Sequence, residues 1–268
     1  MSNYLVDFHV HTSLCNHANG TMKQYVKSAI ENGLQGIGFA DHNPMPCNYG
    51  ERFRMRYHDM EIYINTINEL RNHFSKIDIK LGIELDFVEN EEKYLRDFVS
   101  EFEFDYVIGS VHYMRNNNSN DFIYLGDLNQ ESKTEKFKKY FKLIEKAAIR
   151  GIYDVISHFD LPKRFWGRMS PEEIQFARNA LDTIKKADVC LEINTSGFRT
   201  RDVNEPFPGS ELLDYASRLE IPITLGSDAH NPDKVGSYFI ETINLLKKFG
   251  FKKIANFKKR EREIISIV

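Results

Sequence analysis

The stretch Tyr4–Thr12 has the sequence YLVDFHVHT, a short and mostly apolar run with two histidines near its end. Such a run, bounded by polar residues, predicts a strand that is buried on both faces. Successive side chains of a strand point to opposite faces, so we expect His9 and His11 to lie on the same face. The stretch therefore predicts a buried strand with two imidazoles at its carboxyl end.

Six further segments have the same character, because each concentrates Val, Ile, Leu or Phe within a few residues. These strand candidates are Gly36–Asp41, Ile79–Val88, Asp105–Tyr113, Asp154–Phe159, Val189–Thr195 and Pro222–Ser227. Amphipathic stretches between and after the strands predict helices near Thr21–Asn32, Arg56–Ser75, Glu91–Phe102, Gln130–Arg150, Ser170–Ala187, Ser210–Leu219 and Val235–Phe249. The polar run Arg115–Asp121 is predicted to be a surface loop.

Seven successive βα units without a linker predict an α/β fold in which the sheet closes on itself. We therefore expect a single-domain (β/α)7 barrel over residues 1–268, with a doubly wound open sheet as the alternative. A barrel of this kind commonly reaches this length.

The composition is that of an ordinary globular protein. Of 268 residues, 36 are Lys or Arg and 39 are Asp or Glu, and 41% are hydrophobic. A net charge of −3 gives no electrostatic reason to expect nucleic acid, and no apolar run approaches the roughly 20 residues that a bilayer span requires. The amino terminus lacks a secretory signal, and the three cysteines, Cys15, Cys47 and Cys190, cannot form a disulfide framework. These features predict a cytoplasmic enzyme with no nucleic-acid or membrane partner, and they leave its oligomeric state open.

The histidines are not distributed at random. Seven of the nine fall at or just after predicted strand ends, namely His9, His11, His17, His42, His112, His158 and His230. Carboxylates occupy the same ends, namely Asp7, Asp41, Glu84, Asp86, Asp160 and Asp228. In a βα barrel the carboxyl ends of all strands surround one mouth, so these residues should converge there. Imidazole and carboxylate together suit zinc, manganese or iron better than magnesium or calcium.

The number of candidate ligands indicates more than one metal. The seven histidines with Glu84 and Asp228 make nine, and a catalytic metal usually takes about three protein ligands. We therefore expect two or three divalent ions, a cluster suited to polarising phosphate oxygens and generating hydroxide near neutral pH.

The motifs around these residues resemble those of the polymerase and histidinol phosphatase (PHP) superfamily. In chain order they are HVHT at His9–Thr12 with the later His17, FADH at Phe39–His42, GIE at Gly82–Glu84, GSVH at Gly109–His112, ISHFD at Ile156–Asp160 and GSDAH at Gly226–His230. The resemblance implies that the barrel is the distorted seven-stranded barrel of that superfamily.

The resemblance also implies a trinuclear site. One metal would be bound by His9, His11, Glu84 and Asp228. A second would be bound by Glu84, His112 and His158, with Glu84 as the bridge. The third would be bound by His17, His42 and His230. Asp41 would orient an imidazole, because a metal-bound histidine commonly donates its other N–H to a carboxylate or carbonyl.

Chain length and the sequence SHFDLPK at Ser157–Lys163 resemble the stand-alone histidinol-phosphatase branch of the superfamily. This resemblance implies a metal-dependent phosphomonoesterase that hydrolyses L-histidinol phosphate by in-line attack of a metal-held hydroxide. Glu84 and Asp228 would be catalytic through the metals. Asp160 would donate a proton to the leaving group, or instead orient Arg164 or a metal-bound water.

Arginines in strand-to-helix loops are candidates for binding the phosphoryl group, because guanidinium pairs with phosphate through two parallel donors. We expect Arg164 and Arg199 to do so, with Arg168 and Arg201 as alternatives for the same role. The competing interpretation for each is a solvated surface residue.

Two rival functions remain at this level. The same metal site could serve another phosphoesterase, acting on a different small phosphate ester or on nucleotide 3′ ends, but a nuclease needs a basic groove and this chain is net acidic. A catalytically silent metal-binding or regulatory barrel is the other rival. Such a protein should have lost ligands, and all nine are present here.

Overall fold

The computed structural model describes residues 4–115, 122–129 and 131–267, so most of the loop predicted at 115–121 lies outside the described residues. The strands are β1 Val6–Val10, β2 Gly36–Phe39, β3 Asp78–Asp86, β4 Tyr106–Ser110, β5 Tyr113–Arg115, β6 Phe122–Tyr124, β7 Val155–Ile156, β8 Cys190–Asn194, β9 Ile223–Gly226, β10 Lys253–Lys258 and β11 Glu261–Ser266. The α-helices are α1 Met22–Glu31, α2 Asp59–His73, α3 Glu92–Glu101, α4 Lys133–Ala148, α5 Lys163–Trp166, α6 Pro171–Ala187, α7 Ser210–Arg218 and α8 Phe239–Lys248.

The seven predicted strands form one parallel sheet in the order β1-β2-β3-β4-β7-β8-β9. The first and last strands meet just beyond their carboxyl ends, where the His11 N–H donates to the Ala229 carbonyl at 3.0 Å. A parallel bridge between Val10 and Ala229 continues this contact. The predicted (β/α)7 barrel is therefore confirmed, and its closure lies at the level of the histidines.

A side-chain plug fills the barrel beneath those histidines. Tyr106 extends into the interior, where its hydroxyl donates to the Phe8 carbonyl at 2.7 Å. The ring leaves no room for a Cβ at Gly38 or Gly82 on the neighbouring strands. Phe8 packs edge-on against Tyr106 with ring centroids 5.0 Å apart. The functional residues thus stand on a packed floor rather than over a pore.

Strand β1 departs from regular alternation at this floor. The register of β1 against β2 shifts between Asp7 and Val10. As a result, the side chains of Phe8 and the following His9 both lie in the barrel interior. Irregularities of this kind re-aim side chains beside functional sites. Because of the shift, β1 contributes to the packed floor and then presents His9 and His11 to the mouth.

Helix boundaries mostly follow their sequence signals. Ser170 caps α6 with Glu173 in a reciprocal capping box, as the Ser-Pro-Glu-Glu start predicts. Helix α8 begins at Phe239 rather than at the predicted Val235, because Gly236 (φ +65°) and Tyr238 (φ +63°) adopt left-handed backbone conformations before it.

Four strands and one helix were not predicted. Strands β5 and β6 pair as an antiparallel hairpin after His112, and helix α5 is only one turn long. Strands β10 and β11 form a second hairpin, whose Phe257 packs against Phe8 at 6.1 Å and covers the floor from below. In the described part of the chain, no helix combines the length and apolarity that a bilayer crossing requires.

Candidate metal centre

Glu84 on β3 is the carboxylate on which the strand-end histidines converge. It is fully buried, and the Ser110 hydroxyl donates to its Oε1 at 2.6 Å. The imidazole nitrogens nearest its carboxylate oxygens belong to His42 (2.7 Å), His158 (3.0 Å), His9 (3.5 Å), His11 (3.7 Å) and His112 (3.7 Å). One carboxylate therefore faces five imidazoles contributed by four strand ends.

A second group of histidines lies beside the first. Ligand atoms of His17, His42 and His230 lie within 4.8 Å of one another, as do those of His9, His11 and Glu84. The two groups meet at His11, whose ring stacks on that of His230 with centroids 4.0 Å apart.

Asp228, in the loop after β9, completes the set. Its Oδ1 lies 3.2 Å from Nε2 of His11, and its backbone is left-handed (φ +53°), a conformation that Asp tolerates better than most residues. Gly226 precedes it by two residues, and a Cβ there would overlap His9 and Glu192. The structure thus brings together all nine residues singled out as metal ligands.

Buried carboxylates hold several of the imidazoles from behind. Nδ1 of His9 lies 2.6 Å from Glu192, and Nδ1 of His112 lies 3.0 Å from Asp86. Nδ1 of His11 lies 3.3 Å from Asp41, the contact expected for that residue. We call Asp41, Asp86 and Glu192 the outer carboxylates. Each fixes a ring so that Nε2 is presented to the centre of the cluster.

Backbone carbonyls do the same for two other rings. Nδ1 of His17 lies 2.8 Å from the Cys15 carbonyl, and Nδ1 of His230 lies 3.2 Å from the Asp228 carbonyl. Nδ1 is thus engaged in five histidines: His9, His11, His17, His112 and His230. Their Nε2 is therefore the nitrogen available to bind a metal ion.

The electrostatics of the cluster set different protonation states at its members. Burial lowers the pKa of His42 to about 4 and that of His230 to about 2, so both imidazoles are neutral at pH 7. Burial opposes the charge of Glu84, but the neighbouring imidazoles outweigh it and hold the pKa of this carboxyl well below its usual range. Burial also opposes the charge of His9, but Glu192 and Glu84 raise its pKa well above the usual value. A cation at the centre would displace that proton.

Several buried nitrogen and oxygen atoms of the cluster lack hydrogen bonds of normal geometry. Their positions indicate whether the cluster could bind metal ions. Five of its buried ligand atoms make no hydrogen bond of normal geometry: Nε2 of His9, His11 and His230, Nδ1 of His42, and Oε2 of Glu84. Two of them face each other, since Nδ1 of His42 lies 2.7 Å from Oε2 of Glu84, and Nε2 of His11 lies 3.2 Å from Oδ1 of Asp228. Leaving several buried polar atoms unsatisfied is costly, and they are clustered here rather than scattered. Nitrogen and oxygen donors aimed at shared points fit divalent ions such as zinc.

A cavity of about 720 Å³ opens above the cluster, within the range of small-ligand sites. Its walls include His42, Glu84, His158 and Asp228 from the cluster, together with Arg164. Part of the cluster is therefore accessible to a small molecule.

The other predicted site residues take different positions. Arg164, in α5, lines the cavity, whereas the Arg199 guanidinium donates to the Ser237 hydroxyl at 2.5 Å and the Ser227 carbonyl at 2.6 Å, outside the described lining. Asp160 is buried, and its Oδ2 accepts from Lys163 at 2.9 Å and from the Gly209 N–H at 3.0 Å.

Asp7, one of the strand-end carboxylates, does not join the cluster. Its two oxygens accept backbone N–H groups from Ser227 at 2.9 Å and from Gly236 at 2.8 Å. It fixes the loop that carries Asp228 rather than facing the mouth.

Two residues that support the cluster were not identified from the sequence. Glu192 carries a weak signal, a charge between Leu191 and Ile193 in a strand predicted to be buried. Arg54 carries no sequence signal of a supporting role, because it lies in the polar stretch 50–56. Nevertheless only 2% of its surface is exposed, and its guanidinium donates to Asp86 at 2.6 Å. Asp86 in turn holds His112, so Arg54 supports the cluster from behind.

A seven-stranded parallel barrel with a histidine- and carboxylate-rich mouth defines the class of β/α-barrel proteins whose site lies at the strand ends. Within that class, the chain belongs to the PHP domain family, whose model matches residues 7–196, and a PHP-associated model matches residues 211–248.

Similar proteins cover nearly the whole chain. A probable histidinol-phosphatase of Deinococcus radiodurans is 35% identical over 260 residues, which are 97% of this chain and 98% of the relative. The histidinol-phosphatase of Bacillus subtilis is 26% identical and covers 86% of this chain and 95% of its own length. A crystal structure of histidinol phosphate phosphatase from Lactococcus lactis, complexed with zinc, L-histidinol and phosphate, superposes with a TM-score of 0.83. It is 26% identical and covers 98% of this chain and 100% of its own.

Proposed function

We propose that this protein hydrolyses L-histidinol phosphate to L-histidinol and phosphate at a centre of two or three divalent metal ions. The observation that carries the proposal is the convergence of seven imidazoles and two carboxylates at one barrel mouth, where five of their buried ligand atoms make no hydrogen bond of normal geometry. The choice of histidinol phosphate as the substrate is supported by relatives named histidinol-phosphatase, which match this chain over nearly their full length.

The proposed ligands divide into three sets. His9, His11, Glu84 and Asp228 would hold one ion, and Glu84 would share a second with His112 and His158. His17, His42 and His230 would hold a third. Bound divalent ions polarise phosphoryl oxygens and make water acidic enough to attack near neutral pH.

The protein's own groups then orient and neutralise the substrate. Arg164 faces the cavity from the turn that follows β7 and is proposed to pair with phosphoryl oxygens. Water attacks phosphorus as the ester P–O bond breaks, and the leaving alkoxide takes a proton. Asp160 keeps its proposed role as the donor of that proton, because burial raises the pKa of its carboxyl. Its Oδ2 pairs with Lys163 and it lies outside the described lining of the cavity, so orientation of Arg164 or of a metal-bound water is the alternative role.

The remaining assignments follow from the same proposal. Arg199 keeps its proposed role toward phosphate, with support of the Asp228 loop as the alternative that its contacts favour. We propose that residues 1–268 act as one catalytic domain and that the reaction takes place in the cytoplasm.

The proposal is tested by comparing substrates. We expect kcat/KM for histidinol phosphate to exceed that for 4-nitrophenyl phosphate and for a short oligonucleotide by at least about 100-fold, with phosphate release as the readout. Equal rates on generic monoesters, or preferential release of 3′ nucleotides, would replace it with the phosphoesterase or exonuclease alternative.

Replacing Arg164 by alanine should lower kcat/KM for histidinol phosphate by roughly 10- to 150-fold, because a charge-assisted hydrogen bond contributes about 1.5–3 kcal/mol. Metal content should stay at the wild-type level, since among the described residues no hydrogen bond or ion pair joins Arg164 to any of the nine ligands, and its guanidinium lies over the Phe165 ring. Arg168→Ala tests the alternative assignment, and we expect little effect because this exposed residue lies outside the described lining of the cavity. Wild-type kcat/KM in Arg164→Ala would assign Arg164 to the solvated surface.

A further inference from the structure

The cavity has an aromatic side as well as a metal side. Tyr49, Phe53, Tyr113 and Tyr124 all line it. Tyr113 packs against Tyr49 with ring centroids 5.4 Å apart and against Tyr124 at 5.8 Å. A continuous aromatic wall therefore stands beside the site proposed for phosphate.

Three carboxylates line the same cavity, and they are not equivalent. Glu84 and Asp228 each contact imidazoles of the metal cluster. Asp127 is exposed to the cavity, and within the described chain no hydrogen bond or ion pair engages its carboxylate. A free anion repels a plain phosphate ester, so it has no evident purpose in a cavity that binds only phosphate.

Asp127 is nevertheless held in a defined position. It ends the short turn Leu125–Asp127, whose first N–H donates to the His112 carbonyl at 2.9 Å. The indole N–H of Trp166 donates to the Leu125 carbonyl at 3.1 Å. A Cβ at Gly126 would approach Tyr124 to 2.9 Å, so this residue lets the turn lie against the aromatic wall. The carboxylate is thus tied, through the backbone, to a residue of the metal cluster.

Arg164 and Asp127 act on the same ring of that wall. Burial raises the pKa of Tyr124, the Arg164 charge opposes this rise, and the Asp127 charge adds to it. Arg164, Asp127 and Tyr124 line the same cavity, which therefore holds both a cation proposed to pair with phosphate and an unpaired anion. This arrangement matches a ligand that carries a negative and a positive group a few bonds apart.

We propose that Asp127, with Tyr124, forms a cation subsite that selects phosphate esters bearing an organic cation. The carboxylate supplies the counter-charge, and the aromatic face of Tyr124 attracts the same cation through its quadrupole, whereas the Tyr113 ring already has the Arg54 guanidinium over it at 5.3 Å. The inference rests on the proposed function, under which the cation is the ammonium group or the protonated imidazole ring of the substrate. Asp127 is then the residue that distinguishes this substrate from neutral monoesters.

The test is Asp127→Asn, which removes the charge and keeps the shape. We expect KM for histidinol phosphate to rise about 5- to 30-fold, the range for losing one partly solvated charge contact, while kcat changes less than about 3-fold. Turnover of 4-nitrophenyl phosphate should not fall, which also reports on folding. The matched control is Asp202→Asn, which alters an exposed loop carboxylate outside the described lining.

Two analogues identify the cation: the phosphate ester of 3-(imidazol-4-yl)propan-1-ol, which lacks the amine, and 2-aminopropyl phosphate, which lacks the ring. The analogue that is insensitive to Asp127→Asn lacks the group that Asp127 binds. An unchanged KM for histidinol phosphate and for both analogues would overturn the subsite.

The same measurements distinguish failure of the cation subsite from failure of the proposed function. Suppose the wild type turns over aminoalkyl phosphates better than 4-nitrophenyl phosphate, and Asp127→Asn removes the preference, but histidinol phosphate is a poor substrate. The subsite would then stand and the proposed function would fail. Turnover of histidinol phosphate that is equally good in wild type and variant would instead support the proposed function and overturn the subsite.

Discussion

Replacing Glu84 by glutamine is expected to lower kcat for phosphate release by at least two or three orders of magnitude. The carboxylate lies within 3.7 Å of ring nitrogens from five histidines and is the proposed bridge between two ions. An amide removes the negative charge that two adjacent cations require and turns an N–H₂ group toward atoms that would bind metal. Elemental analysis should show fewer than the wild-type number of ions.

Glu192→Gln is the control for Glu84→Gln, and we expect it to lower activity less. It removes the same charge from a residue that contacts Nδ1 of His9 at 2.6 Å and touches no proposed ion. Loss of such an outer contact typically costs about 10- to 100-fold, so this variant should retain measurable activity. Near-normal turnover by Glu84→Gln at full metal content would rule out the bridging role.

Replacing Arg54 by methionine is expected to cause the largest loss of stability among the variants considered. Its guanidinium is buried and pairs with the buried Asp86 at 2.6 Å. Burial opposes ionisation of Asp86, but His112 and Arg54 together hold the pKa of its carboxyl below the usual range. Removing one partner of such a pair leaves an uncompensated charge and costs about 3–5 kcal/mol.

Calorimetry provides the measurement. At about 2–4 °C per kcal/mol for chains of this order of size, Arg54→Met should lower Tm by roughly 6–20 °C. Arg52→Met is the matched control, since Arg52 is an exposed neighbour on the same cavity wall. Similar Tm values for the two variants would show that the Arg54–Asp86 pair does not stabilise the fold.

Strands and proposed ligands were predictable because both obey local rules. A strand buried on both faces must be mostly apolar over a few residues, as in Ile79–Val88, so a charged residue within it stands out. Glu84 is one such residue. Parallel strands in a barrel bring their carboxyl ends to one mouth, so positions 9 and 230 could be placed together without any knowledge of their contacts.

The unpredicted features depend on contacts between distant parts of the chain. Arg54 is in a polar stretch, and its buried guanidinium is paired with Asp86, 32 residues later, and with Asn43, 11 residues earlier. Strands β5 and β6 have three residues each, too few for alternation to identify. Asp127 follows that hairpin, so the cation subsite could not be located before the hairpin was known. Arg199 was placed in the correct loop, but the direction of its side chain depends on Ser227 and Ser237.

Hydrolysis of histidinol phosphate at this cluster should depend on bound metal ions. Protein stripped of metal is titrated with Zn²⁺ while phosphate release from histidinol phosphate is followed and bound metal is quantified. We predict negligible release without metal and activity that rises to a plateau at two to three bound ions per chain. Full activity in metal-free protein, or no release from protein carrying its full complement of ions, would contradict it.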